Sequence, residues 1–174
     1  LLCHHRREPG VVDMAAIATA IAGRDIAVVE DAAHAPGARL DGRALGSFGE
    51  AGCFSFFANK NMTTGEGGML ITSRQDIYER VRRLRSHGMT TLTWDRHRGH
   101  ASSYDVVALG FNYRTTEMNA ALGMTQLQKL TRNAERRQHL TARYHHHLRA
   151  IRGVTVPFQQ HRGTSAYHLL PVLL

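Results

Sequence analysis

Cysteine is almost missing from this chain of 174 residues. Only Cys3 and Cys53 occur, one near the start and one inside an apolar run, so a disulfide framework is not expected and a reducing, cytoplasmic setting is. No apolar stretch approaches the ~20 residues of a membrane-spanning helix, and no membrane association is expected. A signal peptide is also missing, because the opening Leu-Leu-Cys-His-His-Arg-Arg puts its basic residues after too short an apolar run. Aromatic residues make up 7% of the chain, with a single Trp, too few to interleave with the basic residues as base-stacking platforms. Acidic residues are the minority, 14 against 22 Lys and Arg, for a formal charge of +8. The arginines are spread over several segments, so the excess reads as solvated helix faces and contacts to a small anion rather than a nucleic-acid groove. There is no initiating Met, and the chain stops inside the apolar run Leu169–Leu174. Both ends read as cut, the chain as a piece of a larger protein.

What is present is an alternation of helical and strand-like segments with enough length for one domain with a core. Met14–Ala22 is rich in helix formers and stops at Gly23. Asp25–Glu30 is apolar without alternation and β-branched at its centre, the pattern of a buried strand. Asp41-Gly42 between apolar flanks signals a two-residue hairpin. Gly52–Phe57 and Gly68–Thr72 read as two more strands. Ser73 and Asp76 resemble a capping box for a helix whose Ile77, Val81 and Leu84 share a face. Thr91–Leu109 reads as a long loop, and loops of that length tend to be functional or mobile. A long helix is expected from Thr115 or Thr116 to about Ala150, with Leu122, Leu127, Leu130, Leu140, Tyr144 and Leu148 as buried positions, before Gly153 ends it. A composition shift near Leu130–Ala150 suggests a division into 1–130, part of a large domain, and 131–174, a linking helix and the start of a smaller one. Strands separated by helices imply an α/β sheet that is at least partly parallel, with ligands outside the carboxyl ends of its strands.

Three reactive side chains fall at or just beyond such ends. Lys60 follows the run Phe54-Ser-Phe-Phe57 and precedes Gly65-Glu-Gly-Gly68, where partial desolvation would lower its pKa and free a nucleophilic amine for a carbonyl. Asp31 closes an apolar run, and a carboxylate there either caps the following turn or keeps a pyridine nitrogen protonated. Ser55 alternates with Phe54 and Phe56 and so faces away from them; its hydroxyl suits a phosphate or a neighbouring backbone group. A strand-end lysine, a strand-end acid and a hydroxyl between them are the parts that hold pyridoxal phosphate. His34, one turn after Asp31, could bond the cofactor's phenolic oxygen or stack on its ring, though with twelve histidines in the chain a surface role is the plain alternative. Glu30 points to the other face and reads as structural. The glycine run lacks the lysine and hydroxyl of a nucleotide-triphosphate loop.

The runs Val29-Glu-Asp-Ala-Ala-His-Ala-Pro-Gly-Ala38, Gly46–Phe57, Lys60–Gly68, Leu84-Arg-Ser-His-Gly88 and Gly110-Phe-Asn-Tyr-Arg114 resemble the DegT/StrS-type sugar aminotransferases, in that family's order over nearly the whole chain. The resemblance implies an aspartate-aminotransferase-like fold of the α/β class, represented by the later part of its large, mainly parallel-sheet domain and then a long helix into a small α+β domain. It implies pyridoxal 5′-phosphate as cofactor and a homodimer with active sites at the subunit interface. By motif position Asp31 would pair with the pyridine nitrogen, His34 would stand near the ring oxygen, Ser55 would contact the phosphate and Lys60 would hold the aldehyde. Asn112 would reach the phosphate of the other subunit's cofactor. Such enzymes move an amino group, commonly from glutamate, to a keto sugar on a nucleoside diphosphate. Related dehydratases carry histidine at the lysine position, and Lys60 argues against that chemistry. Alternatives are a keto-cyclitol substrate, or a non-catalytic or regulatory member that kept the fold. The family's N-terminal part, with a helix-start hydroxyl and a ring-stacking aromatic, has no counterpart here, so the fragment by itself is expected not to turn over. Arg85, His87, Trp94 and Arg96 border the expected mouth, as sugar contacts or plain loop residues.

Overall fold

The computed structural model of the chain describes residues 2–4, 11–90, 103–159 and 162–174. They form two compact units, one of residues 1–71 with 117–174 and one of residues 72–116.

In the first unit a strand at Leu2–His4 (β1) precedes the helix Met14–Ile21 (α1). Asp13 caps α1, its carboxylate accepting the N–H groups of Ala15 and Ala16 at 3.1 and 3.0 Å, which satisfies two donors that the helix start leaves open. Gly23 follows at φ +74°, the conformation that favours glycine. The next strand, β2, is short, Val29–Asp31. Expected from Asp25, it begins four residues later, because the paired register with β1 on one side and Ala51–Ser55 (β5) on the other starts at Val29. Between β2 and β5 the hairpin of Arg39–Leu40 (β3) and Arg43–Ala44 (β4) turns through Asp41 and Gly42. Both have positive φ, as the sequence pair predicts for a primed turn. Gly68–Ile71 (β6) completes the sheet in the order β1-β2-β5-β6, antiparallel to β5 while the other neighbours are parallel.

Parallel neighbours end at the same edge, so the carboxyl ends of β2 and β5 lie side by side. Register pairs Asp31 with Cys53 and Glu30 with Gly52. Asp31, Cys53 and Ser55 therefore share one face and Glu30 and Phe54 the other. On that second face the core is built largely from small residues, Ala32, Ala35, Ala38 and Ala166 with Met14, Val28, Leu40 and Leu45. Glu30 is fully buried there. Its carboxylate accepts three backbone N–H groups, those of Gly46 at 2.7 Å, Phe48 at 2.5 Å and Gly49 at 2.7 Å. Its expected structural role is thus specific: it ties the loop after the hairpin onto the sheet.

The long helix Glu117–Leu148 (α3) runs across the composition shift without a break. Leu122, Leu127, Leu140 and Tyr144, expected to be buried, are exposed. The inward stripe instead passes through Asn119, Gly123, Gln126, Leu130 and Arg137, of which Gly123 is buried and the rest half-buried. At Gly123 a Cβ would stand 3.1 Å from Thr64 Cγ2, so the bare backbone allows the helix to approach the loop between β5 and β6 closely. Gly153 follows the helix at φ +83°. No helix among the described residues is long and apolar enough to cross a membrane.

In the second unit the helix Gln75–Leu84 (α2) starts at Arg74, which makes no side-chain cap bond, rather than at the expected Ser73. Thr72 Oγ1 accepts the Arg74 N–H at 3.0 Å, and Arg74 in turn pairs with Asp76, so the local turn outcompetes the capping box. That ion pair holds the Asp76 carboxyl down at about 2. Ile77, Val81 and Leu84 are half-buried on one face as expected, while Arg80, Arg82, Arg83 and Arg85 are exposed.

Candidate active site

The carboxyl-end edge of β2 and β5 brings together four of the five residues that the sequence singles out. Asp31 is half-buried, and one of its carboxylate oxygens accepts the Ala33 N–H at 3.1 Å. The capping reading of Asp31 therefore holds for that bond and leaves its place beside Cys53 intact. Cys53 is a free thiol. Burial, and secondarily the Asp31 charge, push its pKa up, so it packs as a small apolar group rather than acting as a thiolate. Ser55 ends β5 opposite Gly68, and its Oγ accepts the Phe57 N–H over a long 3.4 Å. Asp31 and Ser55 are two register steps apart, about 7 Å along the strand direction.

Lys60 sits half-buried in the turn after β5, its N–H donating to Phe57 O at 3.0 Å. The loop is laced back on itself. Phe56 N–H donates to Gly67 O and Thr64 N–H to Phe56 O, both at 2.9 Å. Thr63 and Thr64 hydroxyls donate to Phe56 O and Glu66 O at 3.2 and 2.7 Å. Gly67, at φ +145°, is required where a Cβ would come 2.7 Å from Thr64 Oγ1. From α3, Asn119 Nδ2 donates to Glu66 O at 2.9 Å. The lysine is therefore presented by a braced loop.

His34 is half-buried in the turn after β2, and its ring lies 4.2 Å, centroid to centroid, from that of His168, tilted by 51°. The sequence reading missed His168. It belongs to the last stretch of the chain, where no periodicity marks it, and it enters through a contact spanning more than a hundred residues. Its Nδ1 lies 2.9 Å from Asn61 Oδ1, while Asn61 Nδ2 donates to Ala166 O at 2.6 Å. Burial pushes the His168 pKa down to about 4, with the charges of His34, Lys60 and Arg137 adding to it.

Asn112 belongs to the second unit. It is exposed, bridges Ser86 through the backbone, and its Oδ1 accepts from Arg114 Nε and Nη2, each at 3.2 Å. Arg85 and His87 lie in the same unit, both exposed, with His87 Nε2 3.4 Å from Arg114 Nη2. Trp94 and Arg96 lie outside the described residues, as does the side chain of Cys3. Among the described residues no group of histidines, cysteines or acids is arranged to hold a metal ion.

The donor set is one carboxylate and one hydroxyl on the same edge, with a lysine in the turn beyond it and a histidine in the turn after β2. That set fits a protonated heteroaromatic nitrogen, a phosphate and an aldehyde carried on one ring.

A model of the DegT/DnrJ/EryC1/StrS aminotransferase family matches residues 10–174. The chain is 38% identical over 158 residues to the spore coat polysaccharide biosynthesis protein SpsC of Bacillus subtilis, covering 90% of this chain and 41% of that protein. Its structure superimposes on the aminotransferase TlmJ from Streptoalloteichus hindustanus with a TM-score of 0.86 at 32% identity, over 98% of this chain and 44% of that one. The E. coli GDP-4-keto-6-deoxy-D-mannose-3-dehydratase, solved with bound hydrated pyridoxal phosphate, matches with a TM-score of 0.81 at 28% identity, over 94% of this chain and 44% of that one. The chain thus spans less than half the length of these proteins. Its fold is part of the aspartate-aminotransferase-like, type I architecture of pyridoxal-phosphate enzymes.

Proposed function

This chain belongs to the DegT/DnrJ/EryC1/StrS aminotransferase family, and we propose that its protein moves an amino group, with glutamate as donor, to a keto sugar carried on a nucleoside diphosphate. The family depends on pyridoxal 5′-phosphate, whose ring, when bound, draws electrons from the substrate carbon so that a proton can leave it. The reading rests above all on the shared edge: Asp31 and Ser55 stand at adjacent strand ends, on a sheet whose order makes those ends neighbours, and Lys60 lies in the turn that follows the second of them.

Each residue then has a task that its chemistry suits. Asp31 would hold a proton on the ring nitrogen through its carboxylate, Ser55 would donate its hydroxyl to the phosphate, and His34 would pack beside the ring near its oxygen. Lys60 Nζ would bind the aldehyde covalently and afterwards carry the proton between the substrate carbon and the cofactor carbon. Asn112 would contact the phosphate of the other subunit's cofactor, which makes the working form a homodimer. Within it, residues 1–130 would belong to the large domain and 131–174 to the linking helix and the start of the small one. The cytoplasm, where sugar nucleotides and glutamate are at hand, is the expected setting. A lysine at position 60, where the related dehydratases carry histidine, favours amino transfer over dehydration. The basic surplus of the chain, +8, suits a substrate carrying two phosphates.

The test is chemical trapping. The protein is incubated with pyridoxal 5′-phosphate, reduced with borohydride and digested, and the peptide carrying the added mass is identified. The label is expected on Lys60 and lost in Lys60→Ala; a label on another lysine, with Lys60 unmodified, overturns the assignment.

A further inference from the structure

Three separate segments meet beside the lysine loop: the turn after β2 through His34, the loop itself through Asn61, and the tail through His168. We propose that His168 is a positioning residue, clamped by Asn61 so that its ring holds the ring of His34 in place at the cofactor-binding edge. The inference rests on the cofactor reading given under Proposed function and deepens it by adding a residue from the far end of the chain.

The hydrogen bonds assign the tautomer. Asn61 Nδ2 is committed to Ala166 O at 2.6 Å, which makes Oδ1 the acceptor. Nδ1 of His168, 2.9 Å from that oxygen, must then carry the proton, and its Nε2 keeps a lone pair. The ring is thus fixed at one edge, and its face is left to pack against His34 at 4.2 Å. Burial favours the uncharged form, and so does positive charge on the neighbouring His34, Lys60 and Arg137. An uncharged His168 can stay against His34 whether or not His34 takes up a proton, which a charged neighbour could not do without repulsion.

The backbone leading into His168 is built for this. Tyr167 adopts φ +51°, a conformation few non-glycine residues hold without support. Support comes from Ser165 Oγ, which accepts the Tyr167 N–H at 3.0 Å, and from Arg137 Nη1, which donates to Tyr167 O at 3.4 Å. Ser165 and Ala166 are buried. Backbone strain held by several contacts beside a site is what a positioning device requires. Asn61 is also the residue after Lys60, so the same clamp steadies the backbone of the lysine.

The experiment compares wild type with His168→Ala, His168→Phe and Asn61→Ala, using pyridoxal 5′-phosphate as the probe. Bound cofactor is read by its visible absorption band, and the ring nitrogens of His34 and His168 by 15N NMR of the cofactor-free protein. The spectrum is expected to show His168 protonated on Nδ1 alone at neutral pH, with the His34 signals shifted in His168→Ala. His168→Ala is expected to weaken cofactor binding about tenfold, the low end of the loss that follows removal of a group orienting a metal ligand, and to move the band. His168→Phe, which keeps a flat ring against His34, should recover part of that affinity, and Asn61→Ala should shift the band in the same direction. Unchanged His34 signals, or cofactor affinity within twofold of wild type in both His168 variants, overturn the proposal. Failure of the cofactor reading looks different: wild type itself then binds no cofactor, or binds it without any dependence on Lys60, whatever stands at position 168.

Discussion

At the scale of single residues, one buried group, Glu30, and one half-buried group, His168, carry the predictions. Glu30 Oε1 accepts from Phe48 and Gly49 and Oε2 from Gly46. Glu30→Gln keeps the shape but turns one acceptor into an amide donor facing an N–H. It is expected to lower unfolding free energy by about 2 kcal/mol. Glu30→Ala abandons all three donors and should cost roughly 3 kcal/mol or more. Urea unfolding checks both, with an unchanged slope and a lower midpoint expected. The second group is His168. Its folded pKa of about 4 lies below the value of 6.5 for a free imidazole. The unfolded chain therefore binds more protons than the folded one between those values, and stability falls with acidification across that window. The stabilisation is fully present above about pH 6.5 and is lost as pH drops toward 4. The groups whose positive charge bears on His168 are His34, Lys60 and Arg137. His168→Phe should accordingly flatten the pH dependence of the unfolding midpoint between pH 6.5 and 4, and an equally steep profile in that variant would contradict the assignment.

At the scale of elements, β5 carries the tightest steric demand. A Cβ on Gly52 would stand 1.9 Å from Gly46 O, so the loop that Glu30 anchors crosses the strand in direct backbone contact. Gly52→Ala must push that loop off the sheet, and a loss of about 3 kcal/mol or more is expected. Gly65→Ala is the control. It meets nothing within 4 Å and has only its φ of +79° to overcome, a cost of about 1–2 kcal/mol. Thermal unfolding of the two variants should separate them clearly. How far such elements are legible in the sequence depends on whether their cause is local. The hairpin at Asp41-Gly42 and the stop at Gly23 follow from backbone preferences of the residues themselves, and both stand as expected. The positions of Asp31 and Ser55 at strand ends, and of Lys60 in the turn beyond, are legible because where an apolar run stops is a local property. β2 is shorter than its apolar run because pairing partners, not hydrophobicity, decide where a ladder begins. On α3 the leucines mislead, since the inward stripe centres on a buried glycine, Gly123, and continues through Asn119, Gln126 and Arg137. Hydrophobic periodicity cannot reveal a face that polar residues bury, as Asn119 and Arg137 do while donating to Glu66 O and Tyr167 O. His168 is illegible for a plainer reason: its partners, Asn61 and His34, lie more than a hundred residues upstream.

At the scale of the whole molecule, the proposed homodimer makes a prediction that no single subunit can satisfy. If Asn112 serves the cofactor held by the other subunit, each site is a composite, with Lys60 from one chain and Asn112 from its mate. Lys60→Ala homodimers then lack the amine at both sites, and Asn112→Ala homodimers lack the phosphate contact at both. A mixed dimer of the two variants is different. One of its sites combines the intact Lys60 of one chain with the intact Asn112 of the other, and its second site lacks both. Random exchange at equal concentrations makes about half the dimers mixed, so about a quarter of all sites should recover wild-type cofactor affinity. The measurement is a titration of the mixed protein with pyridoxal 5′-phosphate, read at the visible band before and after subunit exchange. Gain of a tight fraction on mixing is expected. If Asn112 instead acts on the Lys60 of its own chain, both sites of the mixed dimer carry one lesion each, and mixing changes nothing. That null result would remove Asn112 from the trans role and with it the reason for requiring two subunits.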